Sequence, residues 1–346
     1  MATIREIASQ AGVSVATVSN ILNGKPGASP DTTLKVRRIV ENLGYIPNMH
    51  AKNLKYHTTH SLGIIAEDLT VFNTPGIVDG IYACLEDRQY DSILHNLRIH
   101  RKYGSGFKEN PEYRALLEHN ILLMRAKQVD GILYVGCQPR LLQALPAAKG
   151  LPVVAAYCFT QPKSIPFVMF DDENAGYMAT RHFIQAGHRS IGLIGGSLNS
   201  SSTQQRLRGY QRALFEAGIP YNPEWFTEGN WLEDSGYEAC SALFDKGLRA
   251  FFCMNDLMAD GVYRLAREKG LVVGRDLSVV GFDNRECAPS HEPPLTSVAI
   301  PLFEIGYMTA ETMLNLLEGK PVPESTYIPC QLVCRQSVAD LTDLNN

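Results

Sequence analysis

Polar side chains recur in residues 61–346 directly after short apolar segments, at the points where strands of a parallel sheet would end. Carboxylates and amides accept hydrogen bonds from hydroxyl groups, an arginine donates them, and a tryptophan ring covers an apolar ring face. This combination suits a neutral polyhydroxyl ligand. The candidate ligand-binding residues are Asp68, Phe72, Asn73, Asp172, Arg206, Trp231, Asn255 and Asp283.

Each of these residues, taken alone, also has a structural explanation. Asp and Asn after a strand often cap the next helix, and a single tryptophan such as Trp231 commonly packs in a core. The set also offers a second ligand class. Phe72 and Trp231 could stack on a purine or nucleoside while Arg206 contacts its edge.

The segments that would position these side chains alternate between strands and helices. Residues 61–69 and 91–97 have the apolar pattern of strands, and residues 74–88 between them have the pattern of a helix. The alternation continues through the following segments and predicts an α/β body of doubly wound parallel sheets, two of them at this length. Ligands bind such sheets outside the carboxyl ends of the strands, where the candidate residues lie.

The first part of the chain has the start and stop signals of three short helices. Thr3 and Glu6 form a capping box, Gly12 ends the first helix, and Ser14 caps a second. Pro30 begins a third helix. Two short helices joined by a tight glycine-containing turn, with a third after them, predict a helix-turn-helix head. A generic three-helix bundle is the alternative.

In a helix-turn-helix unit the start of the second helix enters the major groove of DNA. An Asn can pair with adenine through two hydrogen bonds, and small apolar groups contact the thymine methyl. Polar and basic groups around that helix would contact phosphates. The candidates are Val15, Ala16, Thr17 and Asn20 for bases, and Thr3, Ser14, Ser19, Lys25 and Tyr45 for the DNA backbone.

Residues 48–60 predict a basic hinge helix after the head. Pro47 marks a helix start, and the segment carries one leucine flanked by lysines. A leucine wedge in the minor groove, with lysines beside the phosphates, kinks DNA. A solvated linker is the alternative. The candidate DNA contacts here are Asn48, His50, Lys52, Leu54 and Lys55.

Charge is divided unevenly along the chain. The first 60 residues contain seven Lys and Arg against three Asp and Glu, whereas the whole chain has a net charge of −4. The first 60 residues therefore carry +4 and the remainder −8. This division is typical of a polyanion-binding head on a body that has another task.

The segments TIREIASQAGVSVATVSNILNGK and VRRIVENLGYIPNMHAKNLK resemble the head and hinge of the LacI/GalR family of bacterial transcription regulators. The resemblance covers nearly all of residues 2–60 and continues through the chain. It implies a body like a periplasmic sugar-binding protein, with two subdomains joined by three crossovers. The implied domains are a head at 1–47, a hinge at 48–60, and a body whose subdomains are 61–168 with 301–326 and 171–298 with 329–346.

The resemblance also implies how the protein works. A homodimer would read a near-palindromic operator in double-stranded DNA, and the hinges would order only on that DNA. An effector between the subdomains would switch the dimer by binding its two states unequally. The best matches to the family's effector positions are Arg206, Trp231, Asn255 and Asp283.

Three departures from the family pattern stand out. Asn20 and Lys52 stand where the family usually has arginine, so the operator sequence read by Asn20 is expected to differ. Residues 100–120 form a connection that is longer and more charged than the family's. A solvated loop is the favoured interpretation of this insertion, with a lid or a partner surface as alternatives.

Together these features predict an effector-controlled transcription regulator, specifically a repressor of carbohydrate-utilisation genes. One alternative is a corepressor-type regulator that responds to purines or nucleosides. Another is a regulator controlled by a partner protein, with the cleft empty or secondary. A third, a sugar-binding or sugar-processing protein with an incidental head, is disfavoured by the match of head and hinge.

Several other classes are disfavoured. The sequence has no P-loop, nucleophile elbow or HExxH motif, so no catalysis and no cofactor are expected. The apolar stretch at residues 151–159 is too short to span a membrane, and the first residues do not form a signal peptide; a cytoplasmic location is expected. Eight scattered cysteines without a CxxC predict free, buried thiols rather than a metal site.

Overall fold

A computed structural model describes residues 2–45, 59–142, 145, 148–161 and 165–342, apart from the side chains of Ser105, Lys108 and Glu109. The chain divides into two compact units, Met1–Thr59 and His60–Asn346. No helix within the described ranges is long and apolar enough to cross a lipid bilayer. The predicted hinge contacts Asn48, His50, Lys52, Leu54 and Lys55 lie outside the described residues.

The head forms its three predicted helices with the predicted caps. The amide of Thr3 donates to Glu6 Oε2 at 2.8 Å, which completes the capping box, and Ser14 Oγ accepts from the amide of Thr17 at 3.1 Å. Gly12 adopts φ 71°, the left-handed conformation that ends a helix at low cost in glycine. The helices are α1 (Ile4–Ala11), α2 (Val15–Leu22) and α3 (Pro30–Asn42).

A small apolar core holds these three helices together. Its members recur at three- and four-residue spacing, so each helix buries one face. The first residues of α2 are outside this core, and Val15 is 41% exposed. The buried side chains of the head are Ile7, Ala8, Ala11, Val18, Ile21 and Val36.

The second unit alternates strands and helices, as predicted. The strands are β1 (Ser61–Ala66), β2 (Asp91–Asn96), β3 (Gly131–Val135), β4 (Val153–Ala156), β5 (Phe167–Phe170), β6 (Ile191–Gly195), β7 (Phe226–Glu228), β8 (Ala250–Cys253), β9 (Ser278–Asp283), β10 (Thr296–Ala299), β11 (Ser325–Ile328) and β12 (Gln331–Val333). The helices are α4 (Asn73–Asp87), α5 (Ile99–Tyr103), α6 (Pro111–Ala126), α7 (Asp172–Gln185), α8 (Ser201–Glu216), α9 (Glu233–Asp245), α10 (Asp256–Glu268) and α11 (Leu302–Leu317).

These strands form two sheets. The first has the order β11-β5-β4-β3-β1-β2, and the second has the order β12-β10-β9-β8-β6-β7. The neighbouring strands pair in parallel except β10 with β12, which are antiparallel. The strand order changes direction around β1 in one sheet and β6 in the other, which is the doubly wound arrangement that the sequence predicts.

The chain changes sheet three times. β5 ends in the first sheet at Phe170 and α7 then leads into the second. The chain returns between β10 and α11, which packs against α4, and crosses again between β11 and β12. The first and third crossings therefore lie about two residues beyond the predicted ends at Val168 and Thr326, because β5 and β11 each pair to their last residues, Phe170 and Ile328.

The insertion at residues 100–120 is not a solvated loop. It contains α5, the 3₁₀ helix Gly104–Glu109 and the start of α6. Phe107 is fully buried and Tyr113 nearly so, and both belong to the main core. The solvated-loop interpretation was wrong because it rested on the many charged residues of the segment. Two aromatic side chains among them pack into the core.

The cysteines are free, as predicted, but two of the eight are not buried. Cys287 and Cys334 are exposed, whereas the other six lie in the core. Cys334 follows the short edge strand β12, and Cys287 precedes the 3₁₀ helix Ala288–Ser290. Edge and turn positions leave a side chain open to solvent even within a partly apolar sequence.

Candidate functional site

A cavity of about 740 Å³ lies between the carboxyl ends of the two sheets. This volume falls within the range of small-molecule sites, roughly 300–1,000 Å³. Segments that follow β1 to β4 line one side, and segments that follow β6 to β9 line the other. The lining includes Phe72, Asn73, His100, Arg140, Tyr157, Phe159, Ser197, Arg206, Trp231, Asn255, Asp283 and Arg285.

Six of the eight candidate ligand-binding residues line this cavity; Asp68 and Asp172 lie behind it. Asp68 Oδ1 accepts from the hydroxyl of Thr70 at 2.7 Å, and Oδ2 accepts from the amide of His100 at 3.0 Å. Asp172 is fully buried and pairs with Arg206. Both carboxylates therefore position residues of the lining.

The guanidinium of Arg206 is held from several sides although it is almost fully buried. Its Nε donates to Asp172 Oδ1 at 2.6 Å, and Nη1 donates to the carbonyl of Met254. The guanidinium carbon lies 3.4 Å from the ring centroid of Phe282 and 5.8 Å from that of Trp231. Nη2 has no protein partner among the described residues, so one face of the donor fork is available to a ligand.

The indole of Trp231 lies against a glycine. A Cβ atom at Gly196 would come within 2.0 Å of the Trp231 ring, so only glycine allows this contact. Trp231 itself has φ 71°, a conformation that is uncommon outside glycine. The amide of Asn255 donates to the Trp231 carbonyl at 2.9 Å while its oxygen accepts from the amide of Met258. The side-chain amide of Asn255 therefore caps α10 and also holds the backbone of Trp231.

Asn73 presents an unused amide to the cavity. The residue is fully buried at the first turn of α4, and neither Nδ2 nor Oδ1 has a hydrogen-bond partner among the described residues. Leaving a buried polar group unpaired costs about 1–3 kcal/mol. A ligand hydroxyl, which donates and accepts at once, would satisfy both atoms.

Asp283 and Arg285 connect the two sides of the cleft. Arg285 Nε lies 3.4 Å from Asp283 Oδ2, and its guanidinium carbon lies 4.2 Å from the ring centroid of Phe72, on the opposite subdomain. Burial raises the pKa of the Asp283 carboxyl to about 7, with Asp256 adding to the effect and Arg206 and Arg285 opposing it. This carboxyl therefore changes charge near neutral pH.

The arginines of the lining are matched by carboxylates. Each of the three has an acidic partner within ion-pair distance, so the cavity wall carries little net charge while Asp283 is ionised. Such a wall offers many directional hydrogen bonds without a field that selects anions. The pairs are Arg140 with Glu67, Arg206 with Asp172, and Arg285 with Asp283.

The head presents the start of α2 to solvent. Val15, Ala16 and Asn20 are exposed, and Thr17 is half-buried with its hydroxyl 2.9 Å from Ser14 Oγ. Ser19 accepts from the Asn23 amide, which fixes the end of the same helix. An exposed helix start with an amide, small apolar groups and hydroxyls has the side chains that read base edges in a major groove.

Comparison with known proteins agrees with both halves of this geometry. Residues 3–48 match the family "Bacterial regulatory proteins, lacI family", and residues 180–338 match the periplasmic binding protein-like domain. The ribose operon repressor of Haemophilus influenzae is 32% identical over 99% of this chain and 100% of its own length. The chain belongs to the LacI family. It is accordingly a DNA-binding transcription repressor.

Other relatives and structures extend the likeness of this LacI-family repressor over the whole chain. Catabolite control protein A of Priestia megaterium is 32% identical, covering 97% of this chain and 98% of that protein, and the repressor PurR of Vibrio cholerae is 31% identical over 99% of each. The Lac repressor dimer bound to operator and an anti-inducer is 25% identical, with a TM-score of 0.80 over 98% of this chain and 99% of that one.

Sequence reasoning missed one buried network of the LacI-family repressor, centred on Glu67. The carboxylate accepts from the hydroxyls of Tyr113 and Tyr134 and from Arg140 Nη2, and Oε2 accepts from the amide of Cys137 at 2.8 Å. Burial opposes ionisation, but Arg140 and these hydrogen bonds hold the pKa of Glu67 below its usual range. Tyr113 comes from the insertion and accepts from Arg140 Nη2 at 2.9 Å, so the insertion helps to position an arginine that lines the cavity.

Proposed function

We propose that this LacI-family repressor is switched by a neutral polyhydroxyl molecule, a sugar, that binds in the cavity between the subdomains. The unpaired buried amide of Asn73 carries the proposal, because a sugar hydroxyl both donates and accepts. Trp231 supplies a flat apolar face for the ring, and Arg206 supplies a donor. The ion-paired wall suits a neutral ligand better than a phosphate. The controlled genes are those of carbohydrate utilisation.

Such a repressor acts on DNA as a homodimer. Two heads would read the halves of a near-palindromic operator through Asn20 and the start of α2, as two-fold symmetry requires. Effector binding would shift the dimer between two states only to the extent that the two states bind it unequally. The site of action is the cytoplasm, where operator DNA is found, and no catalytic step is part of the proposal.

A thermal-shift screen of the full-length chain tests the effector class. The panel contains free sugars, sugar phosphates, purines and nucleosides. A ligand at about one hundred times its dissociation constant stabilises its receptor by roughly 2.7 kcal/mol, which is readily detected. Stabilisation by a free sugar, lost in Arg206→Ala, is expected. Stabilisation by sugar phosphates alone would contradict the neutral-ligand proposal.

The purine-responsive alternative has one observation in its favour, the similarity to PurR repressors at 31% identity. The cavity argues against the stacking arrangement that this alternative needs. The guanidinium of Arg285 already covers one face of the Phe72 ring, so a base could not lie between Phe72 and Trp231 unless Arg285 moved. A purine or nucleoside hit in the same screen would make this the effector class.

Control by a partner protein is the remaining alternative. A long solvated loop at residues 100–120 would suit it, but that segment contributes Phe107 and Tyr113 to the core. If no small molecule stabilises the folded protein, the cleft is not the point of control. Capture of a partner by the DNA-bound dimer would then be the next measurement.

A further inference from the structure

Three potential metal ligands lie together in the second subdomain, in a cluster that sequence motifs do not reveal. One ligand atom each from Asp260, Cys287 and His291 lies within 4.8 Å of the other two. None of the three lines the cavity described above. The residues come from α10 and from the segment after β9, so only the fold brings them together.

Local structure fixes the positions of these side chains. Asp260 and Tyr263 lie one turn apart on α10, and the Tyr263 ring stacks on the imidazole of His291 with centroids 4.4 Å apart. Tyr263 is itself held by a hydrogen bond from its hydroxyl to the Pro293 carbonyl at 2.7 Å. Cys287 and His291 flank the 3₁₀ helix Ala288–Ser290, which sets the distance between them.

The polar atoms of the cluster lack satisfactory protein partners. His291 Nε2 and Asp260 Oδ1 are 2.9 Å apart, yet both are buried and neither makes a hydrogen bond of acceptable geometry to any described residue. A cation bound between them would satisfy both atoms.

We propose that Asp260, Cys287 and His291 bind Zn²⁺ with one atom each, leaving a fourth position to water. Zn²⁺ takes carboxylate oxygen, imidazole nitrogen and thiolate sulfur in one tetrahedral site, whereas Mg²⁺ and Ca²⁺ take oxygen. Bonds of about 2.0–2.3 Å place the ligand atoms of such a site roughly 3.3–3.7 Å apart. The distance of 2.9 Å between His291 Nε2 and Asp260 Oδ1 is shorter than that spacing, and all three ligand atoms lie within 4.8 Å of one another. Small side-chain shifts would therefore reach the spacing of a zinc site.

A metal at this position would join two elements that also build the cavity. α10 begins directly after Asn255, which holds the carbonyl of Trp231. Cys287 lies two residues after Arg285, which covers Phe72. Bound Zn²⁺ therefore tethers the segment that carries Arg285 to α10. The proposal does not depend on the identity of the effector, because the metal ligands lie outside the cavity lining.

Direct metal titration tests the site. Full-length protein freed of metal by a chelator is titrated with Zn²⁺ in competition with a chromophoric chelator, and one Zn²⁺ per chain is expected. Cys287→Ser and His291→Ala should each weaken binding at least tenfold. Cys334→Ser is the matched control, because it removes the other exposed thiol and should leave the affinity unchanged. With Co²⁺, the thiolate charge-transfer absorption should appear in the wild type and the control only.

Folding of the metal-free variants is checked by circular dichroism and thermal melting. If Cys287→Ser or His291→Ala fails to fold, Asp260→Asn is tested in its place. This substitution keeps the shape of the side chain and removes the charge of the ligand. Zn²⁺ binding below one per chain with no cobalt–thiolate band would overturn the proposal. Equal affinities of the wild type and both ligand variants would do so as well.

Discussion

Arg206 Nε donates to Asp172 Oδ1 at 2.6 Å, and both side chains are buried. Asp172 is the first residue of α7, and Arg206 lies on α8, more than one turn after the start of that helix at Ser201. The pair holds the guanidinium over the Phe282 ring before any ligand binds. The donor that a ligand needs is thus preorganised, at the cost of burying two charges.

Removing the carboxylate tests this preorganisation. Asp172→Ala leaves the Arg206 charge buried and unpaired, so we expect a loss of about 3–5 kcal/mol in the free energy of unfolding and weaker effector binding. Urea denaturation and calorimetry measure the two effects. The control is Glu173→Ala, whose pairs with Arg208 and Arg212 are exposed and contribute at most about 1 kcal/mol. Equal losses for the two variants would contradict the assignment.

The contact between Gly196 and Trp231 predicts a selective binding defect. Gly196→Ala places a methyl group where the indole lies, so the ring must move and effector affinity should fall at least tenfold. Operator affinity without effector should be unchanged, since the head is untouched. Gly106→Ala is the control, because a Cβ there meets nothing within 4 Å. Wild-type effector affinity in Gly196→Ala would show that the Trp231 ring is not a ligand platform.

Asp283 predicts a pH dependence near neutrality. Its pKa is about 7 in the folded protein, above the ordinary value of 3.8, so the protonated form stabilises the fold. That stabilisation is complete below about pH 4 and is lost as pH rises through 7. Effector affinity should instead increase as the pH rises through 7, because the ionised carboxylate accepts hydrogen bonds from ligand hydroxyls better than the protonated form does.

Calorimetric titrations between pH 6 and 8 measure this effect, and Asp283→Asn should remove the pH dependence. Asp256 is the competing group, with burial raising its pKa to about 6. A transition near pH 6 that survives in Asp283→Asn would assign the titration to Asp256 instead.

The buried insertion predicts a large stability effect at a single aromatic residue. Phe107→Ala should cost about 3–5 kcal/mol, because a fully buried ring leaves a cavity. Phe215→Ala removes an identical ring that is 84% exposed, and its effect should stay within about 0.5 kcal/mol. Chemical denaturation of both variants gives the comparison. A small effect at Phe107 would return the insertion to the solvated-loop interpretation.

Asn20 predicts a specificity change in the head. Asn20→Ala should cost about 1–3 kcal/mol of discrimination at the base pair that it reads. Affinity for unrelated DNA and its salt dependence should be unchanged, because those come from phosphate contacts. Fluorescence anisotropy on operator variants measures both. An equal loss on specific and unrelated DNA would place Asn20 at the DNA backbone.

Local signals in the sequence were sufficient for the elements. The Thr3–Glu6 box and the Ser14 cap act over three residues, so they predict where α1 and α2 begin in any surroundings. Alternating apolar segments likewise predict parallel sheets and the edge at which ligands bind. Residues such as Phe72, Arg206 and Trp231 could therefore be chosen before their distances were known.

Tertiary structure alone decided the contacts between distant segments. Nothing near Asp172 in the chain shows that its carboxylate pairs with Arg206 rather than facing the cavity, and Glu67 meets Arg140 across 73 residues. The burial of Phe107 and the meeting of Asp260 with His291 are of the same kind. The sequence determines periodicity and local hydrogen bonding, whereas burial and charge pairing depend on which surfaces the packed sheets bring together.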